Sequence, residues 1–190
     1  MISRRKAVFE ETLIKHCSPT LAGLKTGSMF MFRFCGEESL TGLMRDYNSR
    51  LADKGVRLTL LRKRGQSALV YVYRPEKLKI DLQDETAGDI LFQSGYRDRD
   101  PVSCLKKLRS RLHANDGFPH EVGLFLGYPP DDVRGFIENR GACSKCCGCW
   151  KVYGNVEESQ KCFERYHRCR QIFYQQWSMG KSVEHLTVPA

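Results

Sequence analysis

The 190-residue chain is predicted to be an α/β protein of the α+β type, in which a small mixed sheet of about four strands is covered by many helices. Short apolar runs of strand length surround one clear helical repeat, which gives a β-α-β-β order. Helical spacing then dominates from residue 76 to residue 139, and a last strand precedes a long final helix. No long Pro-, Gly- or Ser-rich linker interrupts the chain, so we expect a single domain over residues 1–190.

The beginning of the chain has helical spacing. Its apolar positions predict an amphipathic helix over 3–16 that stops near Cys17. Ser18 and Pro19 then have the residue types of a helix cap and a first helical position, so a second, short helix is predicted to begin here and to end near 25–27.

The next part of the chain predicts most of the sheet. A strand over 28–34 precedes a helix over 38–54, whose apolar residues recur every three or four positions and which ends at Gly55. Two further strands are predicted over 56–61 and 68–73. The run between them is typical of a basic hairpin loop and reads Arg62-Lys63-Arg64-Gly65-Gln66.

Helices and one short strand account for the remainder, apart from a cysteine-rich loop at 141–149. Glycines punctuate the helical segments and mark their ends. The predicted helices are 76–82, 84–94, 101–114, 119–126, 130–139 and about 156–179, and the predicted strand is 149–153.

Composition limits the class of protein. No apolar run approaches the length of a bilayer crossing, and the start lacks the pattern of a secretory signal, so we expect a cytoplasmic protein with no membrane partner. Nine cysteines, an odd number, fit free thiols or metal ligands in a reducing compartment. The formal net charge of +9 favours a phosphate-bearing or acidic partner, and the oligomeric state stays open.

Four cysteines crowd into seven positions: Cys143, Cys146, Cys147 and Cys149. Closely spaced thiolates suit zinc or an iron-sulfur cluster, and a thiol redox role is an alternative. A cysteine-rich turn without either role stays open as well. Cys162 and Cys169 do not complete a zinc site, because they are seven positions apart, which on a helix is about 10 Å along the axis. Both fall on an apolar stripe, which predicts core packing.

A second candidate segment runs over 16–25. If a helix begins at Ser18, its free N–H groups favour an anion, and Lys25 adds positive charge. His16 and Cys17 would then be a metal ligand or a nucleophile beside it. The alternative is a cap and a packing turn without a ligand.

A third candidate segment runs over 118–129 and is apolar apart from its first turn. His120 and Glu121 lie in that turn and are the candidate acid/base pair, and Tyr128 is a candidate ligand contact. The segment lacks the second histidine of a His-Glu-x-x-His zinc motif. Glu121 could instead complement the helix dipole while His120 caps the helix.

Nucleic-acid binding through Arg62, Lys63 and Arg64 is a further alternative. The β-α-β-β order also occurs in RNA-recognition sheets, which stack bases on aromatic residues of the third strand. The expected basic-Gly-aromatic-x-aromatic signature is absent here. Tyr71 and Tyr73 nevertheless share one strand face and could stack a base.

The three segments 16–25, 118–129 and 150–153 resemble one known family in order and separation. Their motifs are His-x-Ser-Pro-Thr-Leu-Ala-Gly-x-Lys, Phe-Pro-His-Glu-x-Gly-Leu-Phe-Leu-Gly-Tyr-Pro and Cys-x-x-Trp-Lys-Val-Tyr. The chain is thereby identified as a member of the domain of unknown function 3793 family, uncharacterised proteins of anaerobic Firmicutes. The resemblance covers nearly the whole chain and implies no activity or cofactor.

Taken together, the sequence favours a small-molecule or anion pocket formed where segment 16–25 meets segment 118–129, and enzymatic activity at this pocket stays an open alternative. This hypothesis requires the side chains of two distant stretches to converge.

Overall fold

The computed structural model describes residues 2–34, 37–114 and 117–190, without the side chains of 2–5 and 37–39. It confirms the mixed α+β class, with helices predominating over two small sheets. The helices are α1 Ile2–Leu21, α2 Glu37–Leu51, α3 Pro75–Leu82, α4 Glu85–Gln93, α5 Pro101–His113, α6 Val122–Phe125, α7 Pro130–Glu138, α8 Val156–Ser178 and α9 Val183–Leu186. The strands are β1 Gly27–Arg33, β2 Arg57–Arg64, β3 Ser67–Tyr73, β4 Cys146–Cys147 and β5 Lys151–Val152.

The chain divides into two compact units. The first unit comprises Met1–Pro75 and Arg168–Ala190, and the second comprises Glu76–His167. The single domain expected from the sequence stays a prediction, and each unit is described by itself.

The first unit is built on a three-stranded antiparallel sheet with the order β1-β3-β2. Phe30 and Phe32 alternate along β1 and belong to the apolar core that also includes Phe9 of α1 and Tyr47 of α2. Strand β2 continues to Arg64, and strand β3 begins at Ser67. The predicted basic loop is therefore shorter than expected, and Arg62 to Arg64 are strand residues. Two residues are enough for an antiparallel turn.

The prediction of two helices at the beginning of the chain is wrong. Helix α1 runs through Pro19 to Leu21 without a break. Proline is disfavoured inside a helix because it lacks the N–H and its ring crowds the preceding turn. Here Leu13, Cys17 and Leu21 recur every four positions and are fully buried, so one apolar stripe continues past the proline.

A buried arginine fixes the end of α1. Arg74 is 3% exposed. Its guanidinium donates hydrogen bonds to four carbonyl oxygens: those of Thr20, Leu21 and Val188 at 2.7 Å each and that of Lys54 at 3.3 Å. The last carbonyls of a helix lack partners within the helix. Arg74 therefore caps α1 and ties the C-terminal segment after α9 to it.

The second unit contains α4 to α7, most of α3, the β4–β5 hairpin and the first half of α8. The helix predicted over 119–126 is reduced to the single turn of α6, flanked by turns. A small aromatic cluster centres on Trp150, whose ring stacks on Tyr128 at 4.8 Å and meets Phe163 edge-on at 4.5 Å between ring centroids. This cluster anchors the hairpin to the start of α8.

Within the described residues, no helix combines the length and the apolar character needed to cross a membrane.

Candidate functional site

The second unit contains an open, largely apolar pocket of about 510 Å³. It lies among the turn before α6, helix α7 and the β4–β5 hairpin. All of its lining residues fall between 118 and 151. The apolar lining is formed by Phe118, Val122, Leu126, Val133, Phe136 and Trp150, and the polar or titratable lining includes His120, Tyr128, Asp132, Cys147, Cys149 and Lys151.

A buried carboxylate builds one wall of this pocket. Asp132 is 2% exposed and accepts three hydrogen bonds of 2.7 Å, from the indole N–H of Trp150 and from the backbone N–H groups of Tyr153 and Gly154. Hydrogen bonds to a charged acceptor are shorter and stronger than neutral ones. Asp132 therefore fixes the orientation of the Trp150 ring and the path of the chain after β5.

Two close contacts require glycine around the pocket. A Cβ atom at Gly123 would lie 2.7 Å from a methyl group of Val133, and one at Gly135 would lie 2.4 Å from the ring of Tyr153. Such distances are not tolerated in packed interiors. The glycines therefore let α6, α7 and the segment after β5 approach one another.

His120 and Lys151 supply positive or titratable groups to the lining. The His120 ring is exposed and lies 5.0 Å from the Phe136 ring between centroids. The Lys151 ammonium donates to the Gly141 carbonyl at 2.5 Å and lies 6.0 Å from the centroid of the same Phe136 ring. An ammonium has three N–H donors, so this hydrogen bond leaves two for a further partner.

Glu121, the predicted partner of His120, has a different environment. Its carboxylate is 2% exposed and accepts hydrogen bonds from the Tyr96 hydroxyl at 3.0 Å and from the Arg111 guanidinium at 2.5 Å. It is absent from the pocket lining. Burial and this carboxylate raise the pKa of Tyr96 above its usual range. The contacts give Glu121 a structural ion pair, and its acid/base role stays a prediction.

Tyr128 lies in the pocket as a structural and lining residue. Its hydroxyl donates to the Cys149 carbonyl at 3.3 Å, and its ring stacks on Trp150. Burial raises the pKa of Tyr128 to about 12, so the phenol stays neutral at physiological pH.

The crowded cysteines are split by the hairpin. Cys146 and Cys147 form β4, with Cys147 opposite Lys151, while Cys149 lies in the turn and lines the pocket with Cys147. Cys143 is exposed and has a left-handed backbone with φ of 56°. In the part of the chain that the structure describes, no three His, Cys, Asp or Glu side chains are grouped so that they could hold a metal ion. The zinc, iron-sulfur and redox roles stay predictions.

Core packing is confirmed for Cys169, which is buried in the core of the first unit. Cys162 is half-buried and packs against the Trp150 cluster.

The helix start predicted at Ser18 is wrong, and the anion-binding role of Ser18 and Lys25, which was argued from it, stays a prediction. Because α1 does not break there, segment 16–25 is the C-terminal end of a helix, where carbonyl groups rather than N–H groups lack partners. The Ser18 hydroxyl donates to the Ile14 carbonyl one turn earlier. Lys25 follows the helix and is half-buried.

His16 and Cys17 occupy opposite environments on α1. Cys17 is fully buried in the core, and burial raises the pKa of its thiol far above the usual range. His16 is exposed, and its ring lies 6.1 Å from that of Phe30. Partial burial, followed by the charges of Lys15 and Arg170, lowers the pKa of His16. Segment 16–25 lies in the first unit and segment 118–129 in the second, and the pocket that they were expected to share stays a prediction.

Sequence reasoning missed Asp132, Phe136 and Trp150 as site residues. Two signals were available: a Pro-Pro-Asp-Asp sequence at the start of a predicted helix, and a tryptophan directly after the cysteine run. Neither indicates that the two side chains meet.

The fold and this site define a mixed α+β protein with an open apolar pocket inside one of its compact units. The chain belongs to the family described as "Protein of unknown function (DUF3793)", whose model matches residues 13–187. Among curated proteins and solved structures, none matches the chain.

Proposed function

We propose that this protein binds a small, mainly apolar molecule with an anionic group in the pocket lined by residues 118–151. The observation that carries the proposal is the pocket itself, whose apolar wall is held by the Asp132–Trp150 hydrogen bond and whose lining includes His120 and Lys151. The activity is binding, and catalysis is a separate prediction.

The size and lining of the pocket support a ligand with a flat ring. Ligand pockets generally have volumes of about 300–1,000 Å³ and are lined mainly by apolar and aromatic side chains with a few polar groups. The volume of about 510 Å³ is within that range. Trp150, Tyr128 and Phe136 provide aromatic surfaces, against which a planar ring stacks favourably.

The charges along the lining support an anionic group on that ligand. Asp132 is the acidic residue of the lining, and both of its oxygens already accept hydrogen bonds. His120 and Lys151 retain N–H groups that can donate to an anion. An anion thus meets the donors of His120 and Lys151, and the carboxylate of the lining already has three donors of its own.

An acid/base role for His120 would require the reactive atom of the ligand within hydrogen-bond reach of its ring. We include His120 in the proposal as a binding residue. The Glu121 carboxylate is already engaged by Tyr96 and Arg111 and has no part in it.

A fluorescent aromatic sulfonate, 1-anilinonaphthalene-8-sulfonate, tests the proposal because it combines a flat apolar body with one anionic group. We expect saturable one-to-one binding. The double variant His120→Gln/Lys151→Met should weaken it about tenfold. Two charge-assisted hydrogen bonds of about 1.5 kcal/mol each would correspond to a loss of more than about a hundredfold, but His120 is exposed and Lys151 is half-buried, so solvent reduces their contribution. Leu126→Trp, which fills the pocket, should weaken it further.

The control variant His167→Gln/Lys181→Met removes the same residue types from exposed positions outside the pocket. Equal weakening by both double variants would show a general charge effect and contradict the proposal. So would undiminished binding to Leu126→Trp.

We further expect a cytoplasmic location. None of the eight cysteines among the described residues forms a disulfide, and Cys35 lies outside the described residues. Free thiols suit a reducing compartment.

A further inference from the structure

We infer that the second unit has another ligand site, a polar cleft that fits a small zwitterion with a separated ammonium and carboxylate. The cleft has a volume of about 320 Å³ and lies between residues 127–132 and the first part of α8. It shares Asp132 and Trp150 with the apolar pocket. The inference does not depend on the function proposed for that pocket.

One face of α8 forms a wall of the cleft. Glu158, Ser159, Cys162, Arg165 and Tyr166 all line it. Their spacing of one, three, three and one residues places them on a single side of a helix. Glu158 and Arg165 are seven residues apart, which is about 10 Å along the helix axis. The acidic and basic groups are therefore separated along the cleft.

The charged groups of the cleft are available to a ligand. Asp131 and Glu158 are exposed acids on the lining, and Arg165 is an exposed base on it. Among the residues that the structure describes, none of these three side chains has an ion pair or a hydrogen bond. Two acids can hold an ammonium group, and the guanidinium of Arg165 matches the geometry of a carboxylate.

Ser159 is the independent observation that points to a ligand. It is 4% exposed and lines the cleft. Its backbone N–H bonds to the Asn155 carbonyl, but its hydroxyl has no hydrogen bond to any described residue. Because this nearly buried residue lines the cleft, its hydroxyl can be reached from the cleft and can both donate and accept there. A polar group of a bound molecule would provide a partner for this hydroxyl.

Aromatic rings complete the recognition of a cation. Trp150 and Tyr166 line the cleft, and both are nearly buried. The face of an aromatic ring attracts an ammonium group, most strongly for tryptophan. The ring of Trp150 is fixed by Asp132 and is covered in part by Tyr128 and Phe163, so it offers a ligand the part that lines the cleft.

Calorimetric titration with 6-aminohexanoate tests the inference, and hexylamine and hexanoate supply each charge alone. We expect the zwitterion to bind at least about tenfold more tightly than either singly charged probe. Norleucine has the same charges on one carbon and should bind more weakly, because it cannot reach both ends of the cleft. Glu158→Gln, Ser159→Ala and Arg165→Gln should each weaken the binding of 6-aminohexanoate about five- to tenfold.

Glu164→Gln and Arg168→Gln are matched controls on exposed positions of α8 that do not line the cleft. They should change the affinity less than about twofold. Equal affinities for 6-aminohexanoate, hexylamine and hexanoate, no heat with any of them, or equal losses in variants and controls would each overturn the inference. Titration of the same variants with the aromatic sulfonate should be unchanged, so failure at one site is distinguishable from failure at the other.

Discussion

Replacing Asp132 should destabilise the second unit strongly, because one buried carboxylate accepts three hydrogen bonds. In Asp132→Asn, an amide oxygen can still accept from the backbone N–H groups of Tyr153 and Gly154. The amide NH₂ then faces the indole N–H of Trp150, so two donors oppose each other.

The magnitude follows from the hydrogen bonds that are lost. A hydrogen bond to a charged group contributes about 1.5–3 kcal/mol, and bonds that share one group do not add independently. We expect Asp132→Asn to reduce the free energy of unfolding by about 2 kcal/mol and Asp132→Ala by about 4 kcal/mol. Leaving buried donors without a partner is among the few causes of effects this large.

Urea unfolding followed by circular dichroism measures this change. With a slope of about 2 kcal/mol per molar urea, Asp132→Asn should lower the midpoint by about 1 M. Asp131→Asn is the matched control, because that exposed neighbour makes no hydrogen bond through its carboxylate to a described residue. It should stay within about 0.5 kcal/mol of the unsubstituted protein.

A double-mutant cycle isolates the contact with the indole. Trp150→Phe removes its N–H, so the coupling energy with Asp132→Asn should be about 1–2 kcal/mol. A loss below about 0.5 kcal/mol for Asp132→Asn, or no coupling with Trp150, would refute the assigned role of this carboxylate.

Two further predictions concern the first unit and the thiols. Arg74→Met should reduce the free energy of unfolding by about 3–5 kcal/mol in the same urea assay, because it leaves buried carbonyl groups without their donor. Arg74→Lys should reduce it less, and equal losses for the two variants would contradict a role for the planar guanidinium. In native protein, a maleimide reagent should label the exposed Cys143 and Cys147 first, and Cys104 and Cys17 only after unfolding; peptide mass spectrometry identifies the labelled sites. The thiolate is the reactive form of cysteine. Burial raises the pKa of Cys104 to about 11 and that of Cys17 further. Early labelling of Cys17 would show that α1 opens readily.

Local patterns in the sequence predict most of the elements. Helix α2, strands β1 and β3 and the long helix α8 are confirmed within a few residues, because their apolar periods match the faces that they bury. The helix break predicted near Cys17 is wrong, because local propensity favours it while the buried stripe through Leu21 does not. The short helix α9 was not predicted, since four residues are too few for a periodic signal.

The site was predicted only in part, because it depends on contacts between distant residues. His120 and Tyr128 line the pocket, and sequence alone singled them out by an unusual local composition. Asp132 is 18 positions from Trp150, and nothing in either local pattern indicates their hydrogen bond. The Glu121–Arg111 pair is hidden for the same reason, and the sequence therefore suggested acid/base chemistry for a carboxylate that is engaged in an ion pair.

The hydrogen bond from Arg74 to Val188 joins positions 114 residues apart, and it has a consequence for the order of events during synthesis on the ribosome. The three strands of the larger sheet leave the exit tunnel early, but a partner of Arg74 is translated only after the whole of Glu76–His167. Until Val188 is made, the end of α1 has its hydrogen bonds from Arg74 but lacks the one that the Val188 N–H donates to the Leu21 carbonyl. Residues 76–167, which have their own aromatic cluster, can therefore collapse before the end of α1 is complete. Nascent chains arrested before Val188 should then be cleaved by protease around residues 19–25 and spared within 120–166.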